Sequence, residues 1–184
     1  MASATADVLL LVDIQNDFCK NGSLEVPGSL EILPPVNRYI AEAQNKGWLI
    51  AASRDWHPVD HCSFEHMGGP WPVHCVQDTP GADFHPDMEL PGDAIRISKG
   101  TAFDYDQYSA FDRTGFGGFL RDRGIKRVQI AGLALDVCVQ ASVKDALKEG
   151  FEVTLFANAT RAVDGDQAEQ VLTKLAGKGA RIVR

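Results

Sequence analysis

The chain has 184 residues, 45% of them hydrophobic, and its 25 acidic against 18 basic residues leave a formal net charge of −7. That length suits a single domain over residues 1–184 with one sizeable core, and the negative charge, with no Lys/Arg cluster, argues against nucleic acid or an anionic membrane as partner. Nothing approaches the roughly 20 apolar residues that span a bilayer, residues 1–7 lack the charged start and apolar stretch of a secretory leader, and the four cysteines (Cys19, Cys62, Cys75, Cys138) show neither C-x-x-C spacing nor scaffold density, so a cytoplasmic protein with free thiols is expected.

Val8 to Val12 is an apolar run without alternation, the pattern of a strand buried on both faces in a parallel sheet. It ends in Asp13, at the strand end where open α/β sheets place their ligands. Asp13 serves equally as a cap of the following turn. Gly22 to Gly28 reads as a loop. Pro34-Pro35 opens a helical pattern over Val36 to Lys46, closed by Gly47. Trp48 to Ser53 is the second strand, followed by the polar cluster Arg54-Asp55-Trp56-His57-Pro58. Residues 58–92 form a long irregular stretch, a length that in a compact domain marks function or disorder; its Trp71, His74 and Phe84 favour function. Ala94 to Ser98 is a third strand, with Lys99-Gly100 directly after it, and Thr101 to Phe111 is a polar–aromatic loop. Gly118 to Arg123 is a short helix, Arg127 to Gly132 the fourth strand, and Val137 to Glu149 its helix. Glu152 to Ala157, Asp166 to Ala176 and Ala180 to Val183 complete the pattern as strand, helix and strand. The alternation predicts a doubly wound α/β fold: a six-stranded, mainly parallel sheet with helices on both faces.

Three sets of residues carry chemistry. Asp13, Lys99 and Cys138 each stand at or near the carboxyl end of a predicted strand, and in a parallel sheet those ends share one edge. A carboxylate can take the thiol's proton, and a lysine between them stabilises both anions. Cys138 also falls in the first turn of its helix, where free N–H groups favour a thiolate and can hold an oxyanion. The plainer readings are a small buried residue for Cys138 and a solvated charge for Lys99. Asp55-x-His57 with His74 offers two imidazoles and a carboxylate, a set suited to Zn²⁺, Mn²⁺ or Fe²⁺, with His61, Glu65, His66 and His85 as nearby alternatives and a solvated His-rich loop as the plain reading. Phe18, Trp71 and Tyr105, with Leu24, would wall a site for a small planar ring, or simply pin down long loops.

Taken together, Leu11 to Phe18, Gly22-Ser23-Leu24 through Val26-Pro27-Gly28, Ser53 to Pro58, Gly69 to Val76, Lys99-Gly100, Tyr108 to Phe111 and Gly132 to Val139 resemble the nicotinamidase/pyrazinamidase group of the isochorismatase-like cysteine hydrolases, in order and over nearly the whole chain. The resemblance implies an amidohydrolase that converts nicotinamide to nicotinic acid and ammonia through a cysteine thioester. It implies Asp13 as general base, Lys99 as the lysine of the triad, Cys138 as nucleophile, and Asp55, His57 and His74 as ligands of one divalent metal, zinc foremost, with iron or manganese as alternatives. It further implies a non-prolyl cis peptide at Leu133–Ala134, an oxyanion hole from the N–H groups of Ala134 and Cys138, ring walls at Phe18, Leu24, Trp71 and Tyr105, and a homo-oligomer. An amidase for a carbamoyl compound, an isochorismatase-type hydrolase and a catalytically silent zinc module are the competing readings.

Overall fold

In the computed structural model, which describes residues 7–184, six strands form one sheet in the order β3-β2-β1-β4-β5-β6 with every adjacent pair parallel. The elements run β1 (Asp7–Val12), α1 (Leu33–Asn45), β2 (Leu49–Asp55), β3 (Ile95–Lys99), α2 (Phe116–Asp122), β4 (Arg127–Leu133), α3 (Gln140–Lys148), β5 (Glu152–Arg161), α4 (Ala168–Gly177) and β6 (Arg181–Val183). The first six residues, on which the reading of no secretory leader partly rests, lie outside the described residues. Among the described residues no helix is long and apolar enough to cross a membrane.

The unbroken apolar run of β1 has the meaning its pattern predicts. Val8, Leu10 and Val12 enter one core with Phe116, Leu120, Val143 and Leu172, while Leu9 and Leu11 enter a second core with Val36, Ile40 and Ala43. Successive side chains of a strand point to opposite faces, so β1 is covered by α1 on one side and by α2, α3 and α4 on the other. Strand order runs outward from β1 to β3 and then restarts beside β1 at β4. A doubly wound sheet opens a crevice at such a reversal, outside the carboxyl ends of the strands; here Asp13 follows β1 and Cys138 follows β4.

Several boundaries differ from the sequence reading, each for a local reason. Helix α1 starts at Leu33, with Pro34 and Pro35 inside its first turn, where a missing N–H is no loss. Strands β2 and β3 run on to Asp55 and Lys99, which pair in register, so both polar residues belong to the strands rather than to the loops beyond them. Strand β4 runs one residue past Gly132, to Leu133; Gly132 has φ of +129°, and a Cβ there would stand 2.2 Å from the carbonyl oxygen of Val12. Its role is to let β4 approach β1 closely. The turn comes at Ala134 and leads into a π-helical turn, Leu135–Val139, before α3. Strand β5 extends to Arg161 with an irregular register against β4.

Candidate active site and metal centre

The long stretch after β2 is irregular but closely held. His57 pairs with Val76 and Phe64 with Trp71 as isolated bridges, and Phe64 is fully buried with its ring against those of His57, His61 and His74. The loop therefore carries its histidines on an apolar anchor.

At the carboxyl edge of the sheet Lys99 is 0% exposed. Its Nζ lies 2.7 Å from Asp13 Oδ2, 2.6 Å from Asp55 Oδ1 and 3.4 Å from Cys138 Sγ. The Lys99 ammonium is the ion-pair partner of that buried Asp13 Oδ2. Oδ1 of Asp13 accepts a hydrogen bond from the Ser53 hydroxyl at 2.7 Å. Burial by itself would drive the proton off Lys99, but Asp13, Asp55 and Cys138 outweigh it and hold the lysine charged well above its ordinary range. Burial raises the Asp13 carboxyl against the opposing pull of Lys99. The Cys138 thiol is also raised, by burial first and then by the two carboxylates, with Lys99 opposing. The sequence reading had the helix start favouring a thiolate; burial and the two carboxylates work against it. Asp13, Asp55 and Cys138 present ligand or acceptor atoms within 4.8 Å of one another, so a proton acceptor stands beside the thiol.

Asp55 divides its carboxylate. Oδ1 meets Lys99; Oδ2 lies 3.5 Å from His57 Nε2 and 3.7 Å from His74 Nε2. The first effect on Asp55 is burial, which raises it, yet Lys99, His57 and His74 together hold it well below the usual carboxylate range. The Nδ1 of His57 lies 2.8 Å from the Gly100 carbonyl and that of His74 lies 2.7 Å from the Pro72 carbonyl. A carbonyl only accepts, so Nδ1 of each ring carries a hydrogen, which leaves Nε2 as the atom facing Asp55 Oδ2 and the one that can offer a lone pair to a metal. Two imidazole lone pairs and a carboxylate oxygen, all within 4.8 Å of one another, fit a borderline divalent cation and leave coordination positions for other ligands. Of the alternatives, His61 is buried and stacked on His57 at 4.0 Å, with its nitrogens toward Ser63 and the Tyr105 carbonyl. Glu65 is exposed, His66 pairs with Asp60, and His85 accepts from the Asp87 N–H; none of these three joins the cluster.

A narrow cavity opens over both groups, lined by Phe18, Leu24, Val26, Asp55, His57, Trp71, His74, Asp106, Tyr108, Leu133, Ala134, Val137, Cys138 and Val163. Of the four aromatic or apolar walls expected, Phe18, Leu24 and Trp71 are present. Tyr105 is not. Its hydroxyl donates to Asp112 and its ring is covered by the Arg113 guanidinium at 3.9 Å. Tyr108 takes that place, accepting a hydrogen bond from Trp71 Nε1 at 3.1 Å. The Leu133–Ala134 peptide is cis, and Ala134 and Cys138 both line the cavity.

A model of the isochorismatase domain matches residues 7–184. The chain belongs to the isochorismatase family. Among its relatives, the nicotinamidase of Escherichia coli (strain K12) is 37% identical over 177 residues, which cover 85% of this chain and 83% of the relative. Among solved structures, the pyrazinamidase of Pyrococcus horikoshii in complex with zinc superposes with a TM-score of 0.94 at 47% identity, covering 97% of this chain and 98% of that one. PnC1 from L. infantum in complex with nicotinate superposes with a TM-score of 0.90 at 38% identity, covering 99% and 94%.

In this isochorismatase-family chain the sequence reading passed over residues that hold the site without entering it. Asp17 accepts from the Cys75 N–H at 2.8 Å and, more weakly, from the Ser23 N–H at 3.5 Å. It thereby ties the segment bearing His74 to the loop bearing Phe18 and Leu24. Asp136 accepts from the N–H groups of Val163 and Asp164, joining the corner that carries Cys138 to the loop after β5. No spacing rule marks these carboxylates, because their partners are backbone groups far away in sequence.

Proposed function

We propose that this chain hydrolyses nicotinamide to nicotinic acid and ammonia, with Cys138 as nucleophile and Asp13 as general base. The observation that carries the reading is the buried Lys99, in contact at once with Asp13, Asp55 and Cys138 beneath one cavity. A silent module has no use for an ionised lysine placed against a thiol. The names of the relatives support the substrate class, and pyrazinamide, whose ring differs by one nitrogen, belongs to the same class.

The steps can be written with these residues in the roles named. Asp13 takes the Cys138 proton as sulfur attacks the amide carbon. The N–H groups of Ala134 and Cys138 hold the resulting oxyanion. Asp13 returns the proton to the leaving nitrogen, the C–N bond breaks, ammonia departs and a thioester remains. Asp13 then takes a proton from water as its oxygen attacks, the C–S bond breaks, and the acid and the free thiol are restored. Lys99 keeps Asp13 oriented and balances charge throughout. Phe18, Leu24 and Trp71, with Tyr108 in place of Tyr105, enclose the ring. Asp55, His57 and His74 would hold a divalent ion, zinc by likeness to the zinc-bound pyrazinamidase, which would supply a Lewis-acid anchor for a ring nitrogen. Of the four free thiols only Cys138 lines the cavity; Cys19 and Cys75 are buried elsewhere, and burial pushes the Cys19 thiol up to about 11. Free thiols also fit a reducing, cytoplasmic setting.

The direct test is release of ammonia from nicotinamide by the purified protein, with an aliphatic amide and a carbamoyl compound as comparators. Equal or faster turnover of either comparator would move the assignment to another amidase.

A further inference from the structure

We propose that Gln15 is a positioning residue for the metal site, acting on the backbone of Asp55. The inference rests on the reading of Asp55, His57 and His74 as metal ligands. Strand β1 ends at Val12, whose sheet partner is Ser53. Asp13 makes one further backbone contact, its N–H to the Ser53 carbonyl at 3.0 Å, and with φ of +50° the chain then leaves the sheet. Strand β2 continues two residues longer, to Asp55. In a parallel ladder the N–H and C=O of one residue point to the same neighbour. Those of Asp55 point to the side that β1 has vacated, where buried backbone groups without partners would be costly.

The side chain of Gln15 fills that vacancy. Its Oε1 accepts from the Asp55 N–H at 2.9 Å, and its Nε2 donates to the Asp55 carbonyl at 2.8 Å and to the Ala82 carbonyl at 2.9 Å. A primary amide has one acceptor and two donors in a planar fork, and all are used here in a side chain that is 0% exposed. The amide stands in for the peptide group that an extended β1 would supply. The base of the fork is itself held: Gln15 bridges Phe84, Asn16 donates to the Asp83 carbonyl, and His85 donates to the Ile14 carbonyl. With its own N–H and carbonyl held by Gln15 and the following Trp56 N–H bonded to the Lys99 carbonyl of β3 at 3.0 Å, the Asp55 Cβ has a set position. Its carboxylate can then meet Lys99 with one oxygen and face the two histidines with the other. Aspartate at position 15 would be too short to span the gap, and glutamate would set an oxygen against two carbonyls.

The test is zinc affinity, measured by competition with a chromophoric chelator, for the wild type, Gln15→Met, Gln15→Asn and His74→Ala. Visible absorption of the cobalt-substituted proteins reports ligand geometry. Gln15→Met conserves volume and removes all three hydrogen bonds; the expected result is a loss of zinc affinity of about 10- to 100-fold, as for other residues that orient a ligand, together with an altered cobalt spectrum. Gln15→Asn keeps the amide but withdraws it by one methylene, and a smaller loss in the same direction is expected; it decides the matter if the methionine variant does not fold. A folded Gln15 variant with wild-type zinc affinity and an unchanged cobalt spectrum, beside a His74→Ala variant that has lost zinc, overturns the proposal and leaves the metal reading standing. A wild type that binds no zinc, or a His74→Ala variant that binds it equally well, overturns the metal reading and the proposal with it.

Discussion

Asp55 and Lys99 are register partners at the ends of β2 and β3, and their side chains meet at 2.6 Å over the sheet edge. Through that contact one carboxylate serves two centres, since its other oxygen faces His57 and His74. Replacing Lys99 with Met leaves Asp13 and Asp55 buried without their cation. Removing one partner of a buried pair costs about 3–5 kcal/mol, so Lys99→Met is expected to lose turnover and to unfold at markedly lower urea concentration. The pH dependence has a definite sign. Lys99 is held protonated above its unfolded value of 10.5, so its contribution is complete below that value and declines as pH rises through the higher folded one. The stability difference between wild type and Lys99→Met, measured by urea unfolding, should therefore stay level from neutral pH to about 10 and shrink above about 11. Strong acid should shrink the difference as well, because Asp55, held low by Lys99, then takes up its proton; a difference that stays level above about 11 would contradict the pairing.

Cys138→Ala removes the sulfur and little else, because the side chain is buried and its neighbours keep their own partners. Turnover of nicotinamide should fall by about 10³-fold or more, while the thermal midpoint and zinc content remain near wild type. Substantial residual activity would remove Cys138 from its role.

Chelation should abolish turnover, and added zinc should restore it. Because a ligand bound only to the folded state stabilises it, zinc at about 100 times its dissociation constant should add about 2.7 kcal/mol, visible as a higher unfolding midpoint. Full activity in a sample shown to be metal-free would end the metal's part in the reaction.

Gly100 bears on the proposed metal centre through His57. A Cβ at position 100 would stand 2.4 Å from His57 Cε1 and 2.6 Å from its Nδ1, on a backbone with φ of +61° that side chains avoid. Gly100→Ala should displace the imidazole, weaken zinc binding by about 10-fold or more, and regain part of its activity at high zinc. Unchanged zinc affinity in a folded Gly100→Ala protein would show that His57 is not held in this way.

Tyr108 and Tyr105 offer a contrast. Tyr108 lines the cavity and bonds to Trp71; Tyr105 faces Asp112 and Arg113. Tyr108→Ala is expected to raise KM for nicotinamide several-fold, by the loss of an aromatic wall worth about 1 kcal/mol, whereas Tyr105→Ala leaves KM nearly unchanged. The reverse pattern would return Tyr105 to the ring wall.

Much of this architecture is legible in the one-dimensional pattern. Unalternating apolar runs such as Val8 to Val12 announce strands buried on both faces, and proline and glycine punctuate α1. A parallel sheet brings its carboxyl ends to one edge, so Asp13, Lys99 and Cys138 could be grouped before any distance was known. Asp-x-His with a second histidine likewise declares its donor set by residue type alone. What only the tertiary structure decided are matters of direction and of medium. Which tyrosine faces the cavity depends on partners such as Asp112 and Trp71, not on periodicity. Which ring nitrogen is free depends on the carbonyls of Gly100 and Pro72. The Cys138 thiol is pushed up because burial and two carboxylates outweigh one lysine, a balance of nearby charges that no spacing encodes. Residue types and their periodicity are properties of the chain; distance and dielectric come into being only when residues 40 or more apart, such as Gln15 and Asp55, are pressed together.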